Sequence, residues 1–500
     1  MRISILGLVR PCRARAAYRA ARLPCQNHLM RVFLTNLGCK LNQAENEQMA
    51  LGFLAAGHEI AASLAEADLH VVNSCTVTAA AARSSRQAAR AARRRAGGAP
   101  AARTVLTGCY ATASAAEAAS LDGVDMVVAN RDKDRLVEAV LQAFTLPRIP
   151  PAGAPGGAML PGGHTRALLK VEDGCDMGCT FCIIPSTRGR QHSRPAPAVL
   201  AEARRLIEAG YREIVVTGVQ ISAYRTAAST PSPAGQTAPA PALGPVAAGG
   251  RPLRLAGLVQ ALLDLLPPAH AADAADASNG AGAGMPGPPP VRLRLTSIAP
   301  WELDGRLLAL WSDGRLCRHL HLSLQSGATA TLRRMRRPYT AEAFRRLVAR
   351  ARAAIPGVAI TTDVIVGFPG ETATEFAESL QAVAALGFSK VHVFPFSARP
   401  GTPAALLPDA VPPAELRRRM EEMLRVAARC EEDFRRAHLG QRAAVLWERP
   451  SGGRGQGLTD NYIRVWCDAA AGLWNQVAEV ELTELIAGGM IGRLVAPRSG

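Results

Sequence analysis

The segment Glu172-Asp173-Gly174-Cys175-Asp176-Met177-Gly178-Cys179-Thr180-Phe181-Cys182 sets three thiols in the order Cys-x-x-x-Cys-x-x-Cys, next to the strand-like run Ala167–Val171. With 11 Cys in 500 residues, both later positions would match by chance beside one of those Cys in only about half a per cent of such sequences. Thiolates are soft ligands, suited to zinc or to iron–sulfur clusters. Structural zinc closes its tetrahedron with four protein ligands, usually as paired Cys-x-x-Cys or Cys/His units, and here only three thiols are local. Three thiolates on a [4Fe–4S] cube leave one iron open to bind and polarise a small molecule. A simple electron carrier needs a fourth thiolate, and neither Cys317 nor Cys430 has a spacing that supplies one.

Outward from this segment, strand-like runs recur at Glu213–Thr217, Val291–Thr296, His319–Ser323, Ala359–Val366 and Lys390–Phe396, with helical stretches such as Ala198–Ala209 and Ala341–Ala354 between them. Six strand–helix units predict a partial (β/α)6 barrel over residues 164–413. Within it, residues 226–290 are expected to be disordered insertions, rich in Pro, Ala, Gly and Ser, around a helix at Leu255–Leu266. Upstream, residues 30–145 alternate strands (Val32–Asn36, Leu69–Asn73, Thr104–Thr107, Asp125–Val128) with helices (Gln43–Ala56, Ala79–Arg95), the pattern of a small parallel α/β domain. A Pro- and Gly-rich linker is expected at 146–163. Downstream, a connecting helix at 414–437 leads to a small β-barrel over 438–500, with strands at Ala443–Trp447, Tyr462–Trp466 and Gln476–Leu482 and turns at Gly452–Gly457. Residues 1–29 hold six Arg and no acid, and read as a disordered extension or a mis-assigned start, with translation expected from Met30.

Three further thiols, Cys39, Cys75 and Cys109, lie far apart in sequence, yet each closely follows a candidate strand of the N-terminal domain. In a parallel open sheet the strand ends lie along one edge, where ligand crevices form, so these three are expected to converge. In the barrel, Thr217 and Gly218 end the second strand, Ser297 the third and Gln325 the fourth, and Asp363 lies within the fifth. Placement at that end of a barrel suits a ligand pocket. Gly367-Phe368-Pro369-Gly370 would let backbone approach a ligand closely, or form a bare turn.

The Cys175/Cys179/Cys182 spacing is that of the radical S-adenosylmethionine (SAM) superfamily. Across residues 31–500 the chain resembles the radical SAM methylthiotransferases, in their order of N-terminal methylthiotransferase domain, radical SAM barrel and TRAM-like β-domain. Supporting stretches are His321-Leu322-Ser323-Leu324-Gln325-Ser326-Gly327, Met335-Arg336-Arg337-Pro338-Tyr339-Thr340 and Thr361–Glu371. Asn36-Leu37-Gly38-Cys39-Lys40-Leu41-Asn42-Gln43-Ala44-Glu45 resembles the MtaB branch, which modifies threonylcarbamoyladenosine in tRNA, with Lys40 and Glu45 carrying the subtype. Ala299 departs from that branch, which commonly has an acid there.

The resemblance implies two [4Fe–4S] clusters, one on Cys175, Cys179 and Cys182 and one on Cys39, Cys75 and Cys109. It implies SAM held beside the first cluster, with Phe181 against its adenine and Thr217, Gly218, Ser297, Gln325 and Asp363 around it. One-electron cleavage of SAM would give a 5′-deoxyadenosyl radical that takes the hydrogen from carbon 2 of adenine, a carbon poorly reached by ordinary nucleophiles. The second cluster would supply the sulfur, methylated from another SAM. The implied substrate is position 37 in a tRNA anticodon stem-loop and the implied electron donor a flavodoxin or ferredoxin. Methylthiolation of isopentenyladenosine in tRNA, or of a ribosomal protein, is the alternative within the family.

The formal charge of +17, from 58 basic and 41 acidic residues, favours a polyanionic partner. Arg83, Arg86, Arg90 and Arg93 at helical spacing, Arg333, Arg334, Arg336 and Arg337 after the fourth barrel strand, and the β-tail are the expected RNA contacts. No run of 18 or more apolar residues occurs, which argues against a membrane span, and a cytoplasmic enzyme is expected.

Overall fold

A period of two runs through the strands of the N-terminal region. In Leu69–Ser74 and Arg103–Gly108, Val71 and Val105 join the core on one face of the sheet while Val72 and Leu106 join the core on the other. Burial on both faces is what a parallel sheet covered by helices requires. The computed structural model describes residues 29–91, 102–148, 165–226, 252–267 and 291–495. The expectations for the extension at 1–28, for Arg93, for most of the 146–163 linker and for the insertions at 227–251 and 268–290 lie outside the described residues.

Two compact units cut across the sequence order. The first joins the N-terminal residues to 174–190 and 397–407; the second holds 164–173, 191–396 and 408–500. In the first unit a five-stranded parallel sheet runs in the order Glu59–Ile60, Arg31–Asn36, Leu69–Ser74, Arg103–Gly108, Met126–Val128. Met49 and Phe53 of helix Lys40–Ala55, with Leu136 and Val140 of helix Leu136–Ala143, cover one face. Ala82 and Ala89 of helix Ala79–Ala91, with Tyr110, cover the other.

In the second unit the barrel strands are all parallel and fall into two groups, Arg292–Leu295/Glu213–Thr217/Arg166–Lys170 and Ser297–Ile298/His319–Leu322/Ala359–Val366/Lys390–Pro395. The third expected strand is thus interrupted at Thr296. Leu320, Leu322 and Leu324 are buried in the core shared with helix Ala341–Ala354, and the alternate residues His319, His321 and Ser323 take the opposite face. Each such leucine contributes on the order of 2 kcal/mol by leaving water. Thr340 caps the helix Ala341–Ala354, and a reciprocal Thr372/Glu375 capping box starts Ala373–Leu386.

The C-terminal residues close a five-stranded barrel in the order Arg442–Ser451, Arg454–Thr459, Arg464–Cys467, Gly489–Leu494, Val477–Ile486. Arg454–Thr459 and Gly489–Leu494 were not expected as strands, and the turn expected over Gly452–Gly457 stops at Gly453. Among the described residues no helix is long and apolar enough to cross a membrane.

Candidate active site

Strand register brings the first cysteine trio to one edge. Asn36 pairs with Asn73, and Asn73 with Thr107, so Cys39, Cys75 and Cys109 all follow within two or three residues of the same sheet level. A Cβ on Gly38 would stand 3.1 Å from the Cys75 Sγ. Gly108, at φ +97°, lies so close to Ser74 that a Cβ would meet the Ser74 carbonyl at 2.3 Å, and this approach sets Cys109 beside Cys75. Burial pushes the Cys75 thiol above its ordinary pKa, and the neighbouring Cys109 and Cys39 push it further. Three cysteines at one sheet edge, with Cys75 near both of the others, supply the soft thiolate donors that a four-iron group takes, so these residues fit it. Cys39 is exposed, while Cys75 and Cys109 are buried.

A polar network lies behind this edge. The Asn42 carboxamide donates to the Leu37 carbonyl (2.9 Å) and the Ser74 carbonyl (3.1 Å), and the Asn73 carboxamide donates to the Asn42 carbonyl (2.9 Å). Lys133 Nζ donates to Glu45 Oε2 (2.7 Å) and Asn73 Oδ1 (3.1 Å). Arg188 donates from Nη1 to Glu45 Oε1 (2.9 Å) and from Nη2 to Glu45 Oε2 (3.2 Å) and Asn42 Oδ1 (2.5 Å). The carboxylate of Glu45, read from sequence as a substrate-branch residue, is therefore engaged by two buried cations.

Cys175, Cys179 and Cys182 sit in a tight loop of the same unit. Gly174, at φ +75°, runs so near Arg190 that a Cβ would meet its carbonyl at 2.1 Å, and only glycine fits there. The Cys175 amide donates to the Gly189 carbonyl (3.1 Å), the Met177 amide to the Cys175 Sγ (3.4 Å) and the Cys182 amide to the Cys179 carbonyl (3.2 Å). Cys179 is buried, and Cys175, Cys182 and Phe181 are half-buried. The Asn130 carboxamide spans both trios' surroundings, reaching Cys109 Sγ at 3.6 Å and the Thr187 carbonyl at 2.9 Å. Among the described residues no three His, Cys, Asp or Glu side chains gather closely enough to hold a single metal ion. A cube gives each thiolate its own iron and does not require donors gathered round one point.

The other candidate residues belong to the second unit. Thr217 is buried and pairs with Lys170. A Cβ on Gly218 would meet Glu172 Oε1 at 2.3 Å, and the Gln220 amide also donates to that oxygen. Ser297 pairs with His321, and Asp363 with His392. Gln325 takes φ +64°, which is strained for a residue with a Cβ, and is held there by its amide to the Asp363 carbonyl (2.8 Å) and its carbonyl to the Ile365 amide (2.9 Å). Asp363 Oδ2 lies 3.1 Å from His321 Nε2 and accepts from the Ser323 hydroxyl at 3.3 Å. Burial works to raise its pKa, but His321 and His392 outweigh it and hold the carboxyl below its ordinary value. Gly367 does not open toward a ligand: Leu416 of helix Pro413–Arg436 fills the space a Cβ would occupy, and the Gly367 amide donates to Glu371 Oε2 (2.8 Å). The turn reading of Gly367–Gly370 is the one the structure takes.

The sequence assigns no role to Glu172, Trp301 or Tyr339 of this second unit, and names Arg337 only as an expected RNA contact. Glu172 is fully buried, burial pushes its carboxyl up to about 8, and its Oε2 has no hydrogen-bond partner. Its position three residues before Cys175 was the available signal. Trp301, Arg337 and Tyr339 form a stack, with the Trp301 and Tyr339 rings 5.9 Å apart and the Arg337 guanidinium 4.9 Å from the Trp301 centroid. Trp301 and Tyr339 border a cavity of about 480 Å³ also lined by Arg346, Arg350 and Asp304. The Tyr339 hydroxyl donates to the carbonyls of Ser323 (2.7 Å) and Leu324 (2.9 Å), which places the stack at the C-terminal end of the fourth barrel strand. Of the other expected RNA contacts, Arg334 is held by Glu375 (2.6 Å) and Arg86 by Glu117 (3.7 Å), whereas Arg83, Arg90, Arg333 and Arg336 are exposed.

Residues 169–383 match the family described as "Radical SAM superfamily", and residues 31–129 match "Uncharacterized protein family UPF0004". The chain is 34% identical over 467 residues to the ribosomal protein uS12 methylthiotransferase RimO of Roseiflexus castenholzii, covering 87% of this chain and 86% of that one. It is 30% identical to the threonylcarbamoyladenosine tRNA methylthiotransferase MtaB of Bacillus subtilis, covering 89% and 92%. It is 31% identical to the tRNA-2-methylthio-N(6)-dimethylallyladenosine synthase of Erythrobacter litoralis, covering 92% and 96%.

Proposed function

The chain belongs to the radical SAM methylthiotransferase family, enzymes that use SAM and two [4Fe–4S] clusters, and on that premise we propose that it adds a methylthio group to carbon 2 of threonylcarbamoyladenosine at position 37 of tRNA. Cys175, Cys179 and Cys182 hold the cluster that cleaves SAM, and Cys39, Cys75 and Cys109 hold the other. Bound there, these groups supply the radical and the sulfur that side chains cannot. Phe181, Thr217, Gly218, Ser297, Gln325 and Asp363 bind and orient SAM. The substrate is the anticodon stem-loop, and the electron donor a flavodoxin or ferredoxin.

The observation that supports RNA as substrate is the Trp301–Arg337–Tyr339 stack beside a cavity lined by Arg346 and Arg350. Flat aromatic and guanidinium faces receive unstacked bases, and single-stranded loops are where RNA offers them. The threonylcarbamoyl group carries a carboxylate, which complements Arg350, held on the Leu303 carbonyl (3.0 Å), and Arg346, which shares its guanidinium with Glu342 (3.3 Å), whereas a dimethylallyl group is apolar. The identity to a uS12-modifying relative favours a second reading, a ribosomal-protein substrate.

Mass spectrometry of tRNA nucleosides and of ribosomal protein uS12 from a deletion strain separates these readings. The methylthio mark is expected to vanish from threonylcarbamoyladenosine alone. Its loss only from the dimethylallyl nucleoside, or only from uS12, overturns the assignment of substrate.

A further inference from the structure

We propose that the buried Glu45–Lys133–Arg188 ion triad is a positioning brace, which locks the loop bearing Cys175, Cys179 and Cys182 against the sheet edge bearing Cys39, Cys75 and Cys109 and so sets the spacing of the two clusters. The inference rests on the two-trio cluster assignment, and is independent of which substrate is modified.

The three side chains come from three separate parts of the first unit. Glu45 lies on the helix that starts beside Cys39, Lys133 on the 3-10 turn Asn130–Arg135 beyond the last strand, and Arg188 six residues past Cys182. Their side chains are 3%, 3% and 1% exposed. Arg188 grips both Glu45 oxygens, at 2.9 and 3.2 Å, and also Asn42, which is itself bonded to Leu37 and Ser74 at the strand ends. Asn130 forms a second tie from the Cys109 thiol to Thr187, next to Arg188.

Burying charge is a poor way to gain stability, since apolar side chains of similar volume do as well or better. What a planar guanidinium on a carboxylate does provide is a defined relative orientation, because its two parallel bonds form in one geometry. Here that orientation relates a residue of one cysteine loop to a helix leading from a cysteine of the other trio. Product formation requires carbon radical and sulfur to meet, and reactions of that kind are sensitive to displacements of about 1 Å. Glu45, Lys133 and Arg188 are positioning residues in this sense, acting through the cysteine loops.

The test uses the full chain reconstituted without oxygen, as wild type, Arg188→Lys, which keeps the charge and loses the fork, and Glu45→Gln. Three quantities are read: iron per chain, the electron-spin relaxation coupling between the two reduced clusters, and 5′-deoxyadenosine formed per methylthiolated product. The expected result is full iron with weakened coupling in both variants, and a ratio of 5′-deoxyadenosine to product raised about tenfold or more. Unchanged coupling with unchanged ratio overturns the brace. So does a loss of iron from both trios together with unfolding, because the triad then serves only the fold. Spin coupling needs no substrate, so an error in the proposed RNA target leaves this result readable.

Discussion

Arg294 and Glu213 form an ion pair with no solvent exposure on either side chain, Nε to Oε1 at 2.7 Å and Nη2 to Oε2 at 3.1 Å. Arg292 adds a 2.6 Å contact to the same carboxylate. Burial works to raise the Glu213 pKa, but the two guanidinium groups dominate and hold it far below the carboxylate range. Both arginines also donate to the C-terminal barrel, Arg292 to the Leu458 carbonyl (2.8 Å) and Arg294 to those of Thr459 (3.1 Å) and Asp460 (2.8 Å). One carboxylate on a strand of the radical SAM sheet therefore anchors the β-barrel to it.

Removing that carboxylate leaves two buried guanidinium groups unpaired. Glu213→Ala is expected to destabilise the second unit by roughly 3–5 kcal/mol, read as a lower urea midpoint. A midpoint within experimental scatter of wild type means the pair does not anchor the barrel.

Glu172 makes stability depend on pH. Its folded pKa, about 8, lies above the ordinary value of 4.5, so the folded chain binds this proton more tightly than the unfolded one. The associated stability is fully present below about 4.5 and is lost as pH rises through 8, on the order of a few kcal/mol. Glu172→Gln should flatten this dependence and raise the unfolding temperature at pH 8.5 relative to wild type. Parallel pH curves for the two proteins would show that Glu172 titrates normally.

For RNA recognition, the Trp301–Arg337 stack is the place to cut. Trp301→Ala should weaken binding of an anticodon stem-loop by about 1–3 kcal/mol, and Arg337→Ala should also lower the salt dependence of binding. Equal affinity of both variants and wild type, measured by fluorescence anisotropy, removes this surface from the RNA path.

Asp363 is expected to act on SAM. Asp363→Asn keeps the shape and removes the charge that His321 and His392 sustain, and SAM affinity measured by calorimetry should fall about tenfold or more while iron content stays constant. An unaltered SAM affinity assigns Asp363 to packing.

Much of this was legible in the sequence because period and spacing are local. The strands Glu213–Thr217 and Ala359–Val366 lie where the apolar runs placed them, and the three N-terminal thiols lie along one sheet edge because each follows a strand of one parallel sheet. The ion triad was not legible: Glu45, Lys133 and Arg188 are separated by 88 and 55 residues, and nothing local marks a long polar side chain as buried. The strand Arg454–Thr459 was hidden by its glycines. Gly457 looked like part of a turn, yet a Cβ there would meet the Leu446 carbonyl at 2.5 Å, so the closed barrel itself demands glycine. Arg334 shows the converse, a surface-type arginine in sequence whose guanidinium the structure pairs with Glu375 at 2.6 Å.

The decisive measurement is low-temperature electron paramagnetic resonance, with iron analysis, on oxygen-free reconstituted protein before and after SAM. About eight iron atoms per chain are expected, falling by about half when Cys175, Cys179 and Cys182 are all changed to Ala, with a reduced-cluster signal that SAM alters in the wild type. A stoichiometry near one zinc, or a four-iron signal that SAM leaves untouched, contradicts a catalyst built on an iron left open by three thiolates.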